Sequence, residues 1–229
     1  MKIFILAGGF GTRLQSVVSD VPKPMAPILD KPFLDYQLSE IRKYFPKNKI
    51  YLLTFYKSEI IENYYKNDKL ISIIKETEPL GTGGSIKNAI SYLQLEINSK
   101  ILVFNGDTYI KPNLNKMLSS SENTISILGS FQEDCQRYGT LKLDKDDIVE
   151  FNEKVPNCKD SYINAGCYLF NDLSLFKKID KKLFSIEDEF KNYLNNYGKI
   201  NIYRYENIFI DIGIAQDYKK MIKYMSKSE

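Results

Sequence analysis

The sequence has no histidine and no tryptophan. Without histidine there is no Ser-His-Asp triad, no Cys-His pair and no His-ligated zinc. Acid–base chemistry at neutral pH would need a shifted Glu, Lys or Cys, so a reaction that needs no such base is favoured. Cysteine is scarce: Cys135, Cys158 and Cys167 make an odd count. Their spacing fits neither a zinc site nor a disulfide framework, and the expectation is reduced thiols in a cytoplasmic protein. No apolar run approaches the roughly 20 residues of a membrane span, and Met1-Lys2 leads straight into an apolar strand with no signal-peptide pattern. Charge of one sign is also lacking. The formal net charge is +3 over 229 residues, without a basic tail, which argues against a nucleic-acid partner.

What is present is ordinary globular composition, 43% hydrophobic and 27% charged, in a chain long enough to bury a core. Apolar runs at Lys2–Ala7, Ile50–Thr54, Ile71–Lys75 and Lys100–Asn105 read as strands. Helical spacing separates them at Phe33–Phe45, Lys57–Lys66 and Gly83–Leu93. In Phe33–Phe45 the apolar face is Leu34, Leu38, Ile41 and Phe45. This alternation implies an α/β fold, a Rossmann-like doubly wound and mostly parallel sheet whose ligand lies outside the carboxyl ends of the strands.

After about residue 110 the texture turns antiparallel. Strands are expected at Asn123–Phe131, Gly139–Leu143, Ile148–Asn152, Ser161–Phe170, Lys199–Tyr205 and Ile208–Ile210. Helices are expected at Ser185–Tyr197, with Ser185 as cap and Glu187 and Asp188 in the first turn, and at Ala215–Tyr224. The expectation is one domain over 1–229, a nucleotide-binding half of about 1–110 and a sugar-binding half of about 111–229. The Tyr64-Tyr65, Tyr203 and Tyr205 clusters read as structure, or as packing of a homodimer interface.

The first strand hands over to Leu6-Ala7-Gly8-Gly9-Phe10-Gly11-Thr12-Arg13-Leu14. Glycines after a strand let amides approach an anion closely. The run lacks the Gly-Lys-Ser/Thr of a P-loop, and Leu14 stands where a dinucleotide fingerprint needs a third small residue. It adds Arg13, whose fork suits phosphate, and Lys23 follows between Pro22 and Pro24. Taken alone the loop is a triphosphate cradle or a glycine-rich turn.

The combination resembles the sugar-phosphate nucleotidyltransferases. Gly9-Phe10-Gly11-Thr12-Arg13-Leu14 followed by Pro22-Lys23-Pro24 resembles the family signature, and Glu76 to Gly84 its base-recognition segment. Asn105-Gly106-Asp107 resembles its metal-aspartate loop, Phe151 to Lys154 its Glu-Lys sugar motif, and Ile163 to Gly166 its Asn-x-Gly motif. Phe209 to Gly213 resembles the segment with its second aspartate, and Tyr138-Gly139 its sugar-contacting Tyr-Gly. Val155 separates Lys154 from the usual proline, and Gln15-Ser16-Val17 replaces a common Pro-Leu-Thr. The closer likeness is to the D-glycero-D-manno-heptose 1-phosphate guanylyltransferases of bacterial surface-glycan (capsule or lipopolysaccharide) pathways, carried by Val17 to Ile28 and Glu78 to Ile90. No β-helix extension is expected.

The resemblance implies a glycosyltransferase-A-like nucleotidyltransferase fold and transfer of a nucleoside monophosphate to a sugar 1-phosphate. GTP and a manno-heptose 1-phosphate are favoured; mannose 1-phosphate, UTP and CTP are alternatives. A non-catalytic nucleotide-sugar-binding subunit is the reading from another class. The implied catalytic residues are Arg13, Lys23, Asp107, Lys154 and Asp211. Leu6, Ala7, Gly8, Gly9, Gly11, Thr12, Glu76, Gly81, Thr82 and Asn105 would join Arg13, Lys23 and Asp107 around the nucleotide. Tyr138, Gly139, Glu153, Lys154, Asn164 and Gly166 would hold the sugar. Two aspartates after strands suit Mg²⁺, which takes one or two carboxylates and fills its shell with phosphate oxygens and water. Guanine offers donors at N1 and N2, which an acceptor-only carboxylate can take. Glu76 is favoured for that role, with Glu78 competing.

Overall fold

A computed structural model describes residues 1–119, 123–152 and 156–227. In chain order its elements begin with β1 (Lys2–Leu6), β2 (Pro27–Ile28), β3 (Lys31–Pro32), α1 (Phe33–Arg42), β4 (Ile50–Thr54), α2 (Ser58–Tyr65) and β5 (Ile71–Lys75). Next come α3 (Gly81–Tyr92), β6 (Ile101–Asn105), β7 (Thr108–Ile110), α4 (Leu114–Ser119), β8 (Ile125–Asp134), β9 (Thr140–Asp144) and β10 (Asp147–Asn152). The chain continues with β11 (Lys159–Phe170), α5 (Ser174–Lys177), α6 (Ile186–Tyr197), β12 (Ile200–Tyr205), β13 (Phe209–Asp211) and α7 (Ala215–Met225). Two compact units emerge, each discontinuous in sequence. The first joins Lys2–Pro79, Phe104–Lys111 and Ile208–Glu229; the second contains Leu80–Val103 and Pro112–Asn207.

In the first unit, β5, β4 and β1 are adjacent and parallel, with Ile3 opposite Ile50 and Ile50 opposite Ile71. All five residues of β4 are buried, the continuous apolar run expected of a parallel strand covered on both faces. The registers align the strand ends: Leu6 pairs with Leu53, and Thr54 with Lys75. The glycine loop after β1 and Glu76 after β5 therefore leave along one carboxyl edge, where doubly wound sheets bind ligands. A separate antiparallel ladder joins β7 to β13. Beneath it α7 buries Tyr218, Met221 and Met225 with Leu14, Ala26, Ile28, Phe33, Tyr109, Ile210 and Ile212.

The second unit is mixed. β11 pairs antiparallel with β8, β8 parallel with β12, β12 antiparallel with β10, and β10 antiparallel with β9, which also meets β11. Phe190 of α6 packs its ring on Phe151, Tyr168 and Phe170, with centroids 5.3–6.0 Å apart. Ser185 caps α6 as predicted, its side chain accepting from the Asp188 N–H. Among the described residues, no helix is long and apolar enough to cross a membrane.

One expectation is overturned. Cys135 and Cys158 form a disulfide, with Cα atoms 5.2 Å apart, and only Cys167 is free and buried. The cause is strand register. β8 and β11 place Asp134 opposite Lys159, so the residues just beyond each end face one another, and the Cys135 N–H donates to the Cys158 carbonyl. Cysteine spacing along the chain carries no trace of that pairing.

Candidate active site

The first unit gathers one charged cluster. The Gly106 N–H donates to the Leu6 carbonyl (2.9 Å), which brings the Asp107 loop beside the end of β1. Gly106 cannot be larger, since a Cβ there would lie 2.5 Å from the Leu6 oxygen. Asp211 pairs with Thr108 across the β7–β13 ladder, and the Ile212 N–H donates to the Asp107 carbonyl (3.0 Å). Two aspartates far apart in sequence are neighbours for this reason. Lys23, on a turn stiffened by flanking prolines, donates to Asp107 Oδ2 at 2.8 Å, with only 13% of its side chain exposed. Arg13 Nη2 approaches Gly213 closely enough that a Cβ there would sit 3.4 Å away.

The electrostatics follow. The Asp211 carboxyl is pushed up to about 6, by burial first and by the Asp107 charge second. Lys23, the Gly213 N–H and Arg13 pull it back. Two neighbouring carboxylates, with cations nearby, form a donor set suited to a divalent ion that also binds phosphate oxygens. Among the described residues, no cluster of three or more His, Cys, Asp or Glu forms an all-protein metal cage. The pair fits Mg²⁺ in the shared manner.

The glycine loop lies against Lys23. Gly11 has φ 61°, and a Cβ there would meet the Lys23 side chain at 3.2 Å, so loop and lysine pack directly. Among the described residues, the N–H groups of Gly8, Gly9, Phe10 and Gly11 donate to no backbone carbonyl. Thr12 and Arg13 are exposed, while Leu6 is half-buried and Ala7 buried. Just after β5, the Glu76 N–H donates to the Thr54 carbonyl and the residue is 7% exposed, whereas Glu78 is exposed.

A residue the sequence reading missed supports the aspartate loop. Gln37 of α1 is 3% exposed and donates from Nε2 to the Asn105 carbonyl (2.8 Å) and the Thr108 carbonyl (3.0 Å). It clamps the backbone on both sides of Asp107. Its trace was visible: Gln37 lies at a core position between Leu34 and Leu38 on an otherwise apolar helix face. Asn105 Oδ1 is buried without a partner among the described residues.

The second unit gathers the other motif residues. Asn164 to Gly166 forms a bulge, since the β8–β11 register shifts between Asn164 and Tyr168, and Gly166 has φ 68°. Bulges re-aim side chains near active sites. Ile163 pairs with Thr140, so Tyr138-Gly139 comes beside Asn164. Gly139 is needed for close approach, as a Cβ there would lie 2.9 Å from the Asn152 carbonyl oxygen. Glu153 and Lys154, expected to bind the sugar and its phosphate, lie outside the described residues.

The glycines around Thr82 serve packing. The Gly83 and Gly84 N–H groups both donate to the Phe184 carbonyl, and a Cβ on Gly81 would meet that oxygen at 2.6 Å. Thr82 Oγ1 donates to Glu187 (2.9 Å) and accepts from the Ile186 N–H (2.9 Å). The Thr82 hydroxyl hydrogen is thus committed to Glu187, which leaves its oxygen only as an acceptor.

A nucleotidyl transferase family model matches residues 2–228. The chain belongs to that family. This nucleotidyltransferase is 40% identical to the D-glycero-alpha-D-manno-heptose 1-phosphate guanylyltransferase of Campylobacter jejuni subsp. jejuni serotype O:2, over 95% of this chain and 97% of that one. It is 37% identical to the protein of the same name from Aneurinibacillus thermoaerophilus, over 97% of both. Its fold matches the crystal structure of HddC from Yersinia pseudotuberculosis complexed with GMP-PN, with TM-score 0.82, 36% identity and 98% and 99% coverage. The α/β fold read from the strand–helix alternation is borne out.

Proposed function

We propose that this nucleotidyltransferase transfers GMP from GTP to a manno-heptose 1-phosphate, giving GDP-heptose and pyrophosphate in the cytoplasm. The convergence of Arg13, Lys23, Asp107 and Asp211 in the first unit carries the reading, because a non-catalytic descendant would have no reason to keep all four together. The base assignment draws support from Glu76, a buried acceptor on the same carboxyl edge of the sheet as the glycine loop, and from the two guanylyltransferase relatives.

A phosphate oxygen of the sugar 1-phosphate attacks the α-phosphorus in line. The bond from α-phosphorus to the bridging oxygen breaks, and pyrophosphate leaves. A phosphate monoester is already anionic near neutral pH, so the absence of histidine is no obstacle. What the protein supplies is alignment and charge. The loop amides and Arg13 hold the β- and γ-phosphates and the departing pyrophosphate. Lys23 exchanges Asp107 for the α-phosphate, which frees that aspartate. Asp107 and Asp211 would hold Mg²⁺, which would supply positive charge to offset that on the phosphate oxygens. Lys154 guides the incoming phosphate, and Glu153, Asn164 and the Tyr138-Gly139 turn take the sugar; motif resemblance supports these roles.

A matrix of the four common triphosphates against heptose, mannose, glucose and N-acetylglucosamine 1-phosphates, read by pyrophosphate release, tests the reading. GTP with the heptose should turn over fastest. Preference for UTP or dTTP overturns the Glu76 assignment, and no release with any pair overturns the activity.

A further inference from the structure

Glu187 enters the sequence reading only as a first-turn acid of α6. In the second unit it is the centre of a chain of side chains. Its Oε2 accepts from Thr82 Oγ1 (2.9 Å) and Ser185 Oγ (2.8 Å), and its Oε1 accepts from the Tyr168 hydroxyl (3.2 Å). Tyr168 is fully buried. Its hydroxyl oxygen accepts from Asn164 Nδ2 (3.0 Å), and Asn164 Oδ1 accepts from the Gly166 N–H inside the bulge (2.9 Å).

The chain has a direction. A carboxylate can only accept, and a phenol has one hydrogen to give. Glu187 therefore takes the Tyr168 hydrogen, and the tyrosine oxygen is left to accept. That oxygen selects the NH₂ side of the Asn164 amide, while the Gly166 N–H selects its oxygen. The amide cannot flip without placing NH₂ against N–H at one end and oxygen against the Tyr168 oxygen at the other. One Asn164 N–H remains for a ligand, and its matching partner is an acceptor, a sugar hydroxyl oxygen or a phosphate oxygen.

We propose that Glu187 is a positioning residue that, through Tyr168, sets the amide of Asn164 so that it offers an N–H to the sugar 1-phosphate. The inference rests on the proposed reading of Asn164 as a sugar contact. It names residues that selectivity for the acceptor depends on and that touch neither substrate.

The test varies each substrate separately at saturating concentration of the other, using GTP and whichever sugar 1-phosphate the wild type turns over fastest. Tyr168→Phe keeps the ring that packs on Phe190 (5.3 Å) and removes the relay. It should raise KM for the sugar 1-phosphate about tenfold, the size of one lost hydrogen bond, and leave KM for GTP within about twofold. Glu187→Met, which removes the acceptor for the Tyr168 hydroxyl at similar length, should raise the same KM and carries the test if Tyr168→Phe does not fold. Unchanged KM for the sugar phosphate in a folded variant, or equal losses for both substrates, overturns the inference while leaving the activity standing. A wild type that releases no pyrophosphate with any pair overturns the activity and this inference with it.

Discussion

Asp211 should cost the metal-free protein stability at the pH where it is needed. Its carboxyl titrates at about 6 in the fold, against 3.8 ordinarily, because it is buried and faces Asp107. Between those values the folded protein binds more protons than the unfolded chain, so stability falls as pH rises. The favourable contribution is complete below about pH 4 and lost above about pH 6. Roughly two pH units at about 1.4 kcal/mol each give a cost on the order of 3 kcal/mol at pH 7.5. Asp211→Asn removes the charge and keeps an oxygen for the Gly213 N–H, now at 2.8 Å. In EDTA at pH 7.5 the variant should therefore melt roughly 5–10 °C above the wild type, at a few degrees per kcal/mol for a chain of this size. Near pH 4 the two should converge, while pyrophosphate release by the variant falls about 10²–10³-fold. Denaturation curves of both proteins from pH 4 to 8 decide it. A gap that does not change with pH, or a variant less stable at pH 7.5, refutes the reasoning.

Gln37→Met keeps the volume but leaves the Asn105 and Thr108 carbonyls without a side-chain donor. It should cost about 2–4 kcal/mol in urea denaturation and lower turnover, and a neutral result would remove the clamp from the account. Arg13→Ala should lower turnover about 10²–10³-fold and lower the melting temperature at pH 7.5 only slightly, because the exposed side chain is the weakest of the groups that offset the Asp211 charge; near wild-type rates would end its assignment to the triphosphate. Glu76→Gln adds a donor where guanine also donates, so kcat/KM for GTP should fall about 10-fold or more relative to UTP. Retention of the wild-type preference among triphosphates would place base reading elsewhere.

Parallel strands announced themselves. Ile50–Thr54 and Ile71–Lys75 match the expected bounds, because a short apolar run too brief for a helix leaves little choice of element. Motif spacing likewise carried the list of charged residues, but not their partners. Thr108–Ile110 is three residues long and has no period to read, yet its pairing with Phe209–Asp211 is what makes Asp107 and Asp211 neighbours. Lys23 was expected to face a phosphate; here it faces Asp107, which follows from the fold of the Lys23–Met25 turn rather than from any local pattern. The disulfide and the Asn164 bulge both depend on the register between β8 and β11, strands separated in sequence by the whole β9–β10 hairpin. Gln37 and Glu187 show the same limit from another side. Each lies on an expected helix, and each acts through groups from remote segments: the Asn105 and Thr108 carbonyls for Gln37, and the Thr82 hydroxyl and the buried Tyr168 phenol for Glu187. A polar residue at a core-facing helix position was the one sign available, and only Gln37 gave it. Residues that touch substrate are constrained by chemistry and keep recognisable motifs, whereas residues that hold those residues are constrained by geometry, which becomes legible only when the chain is folded.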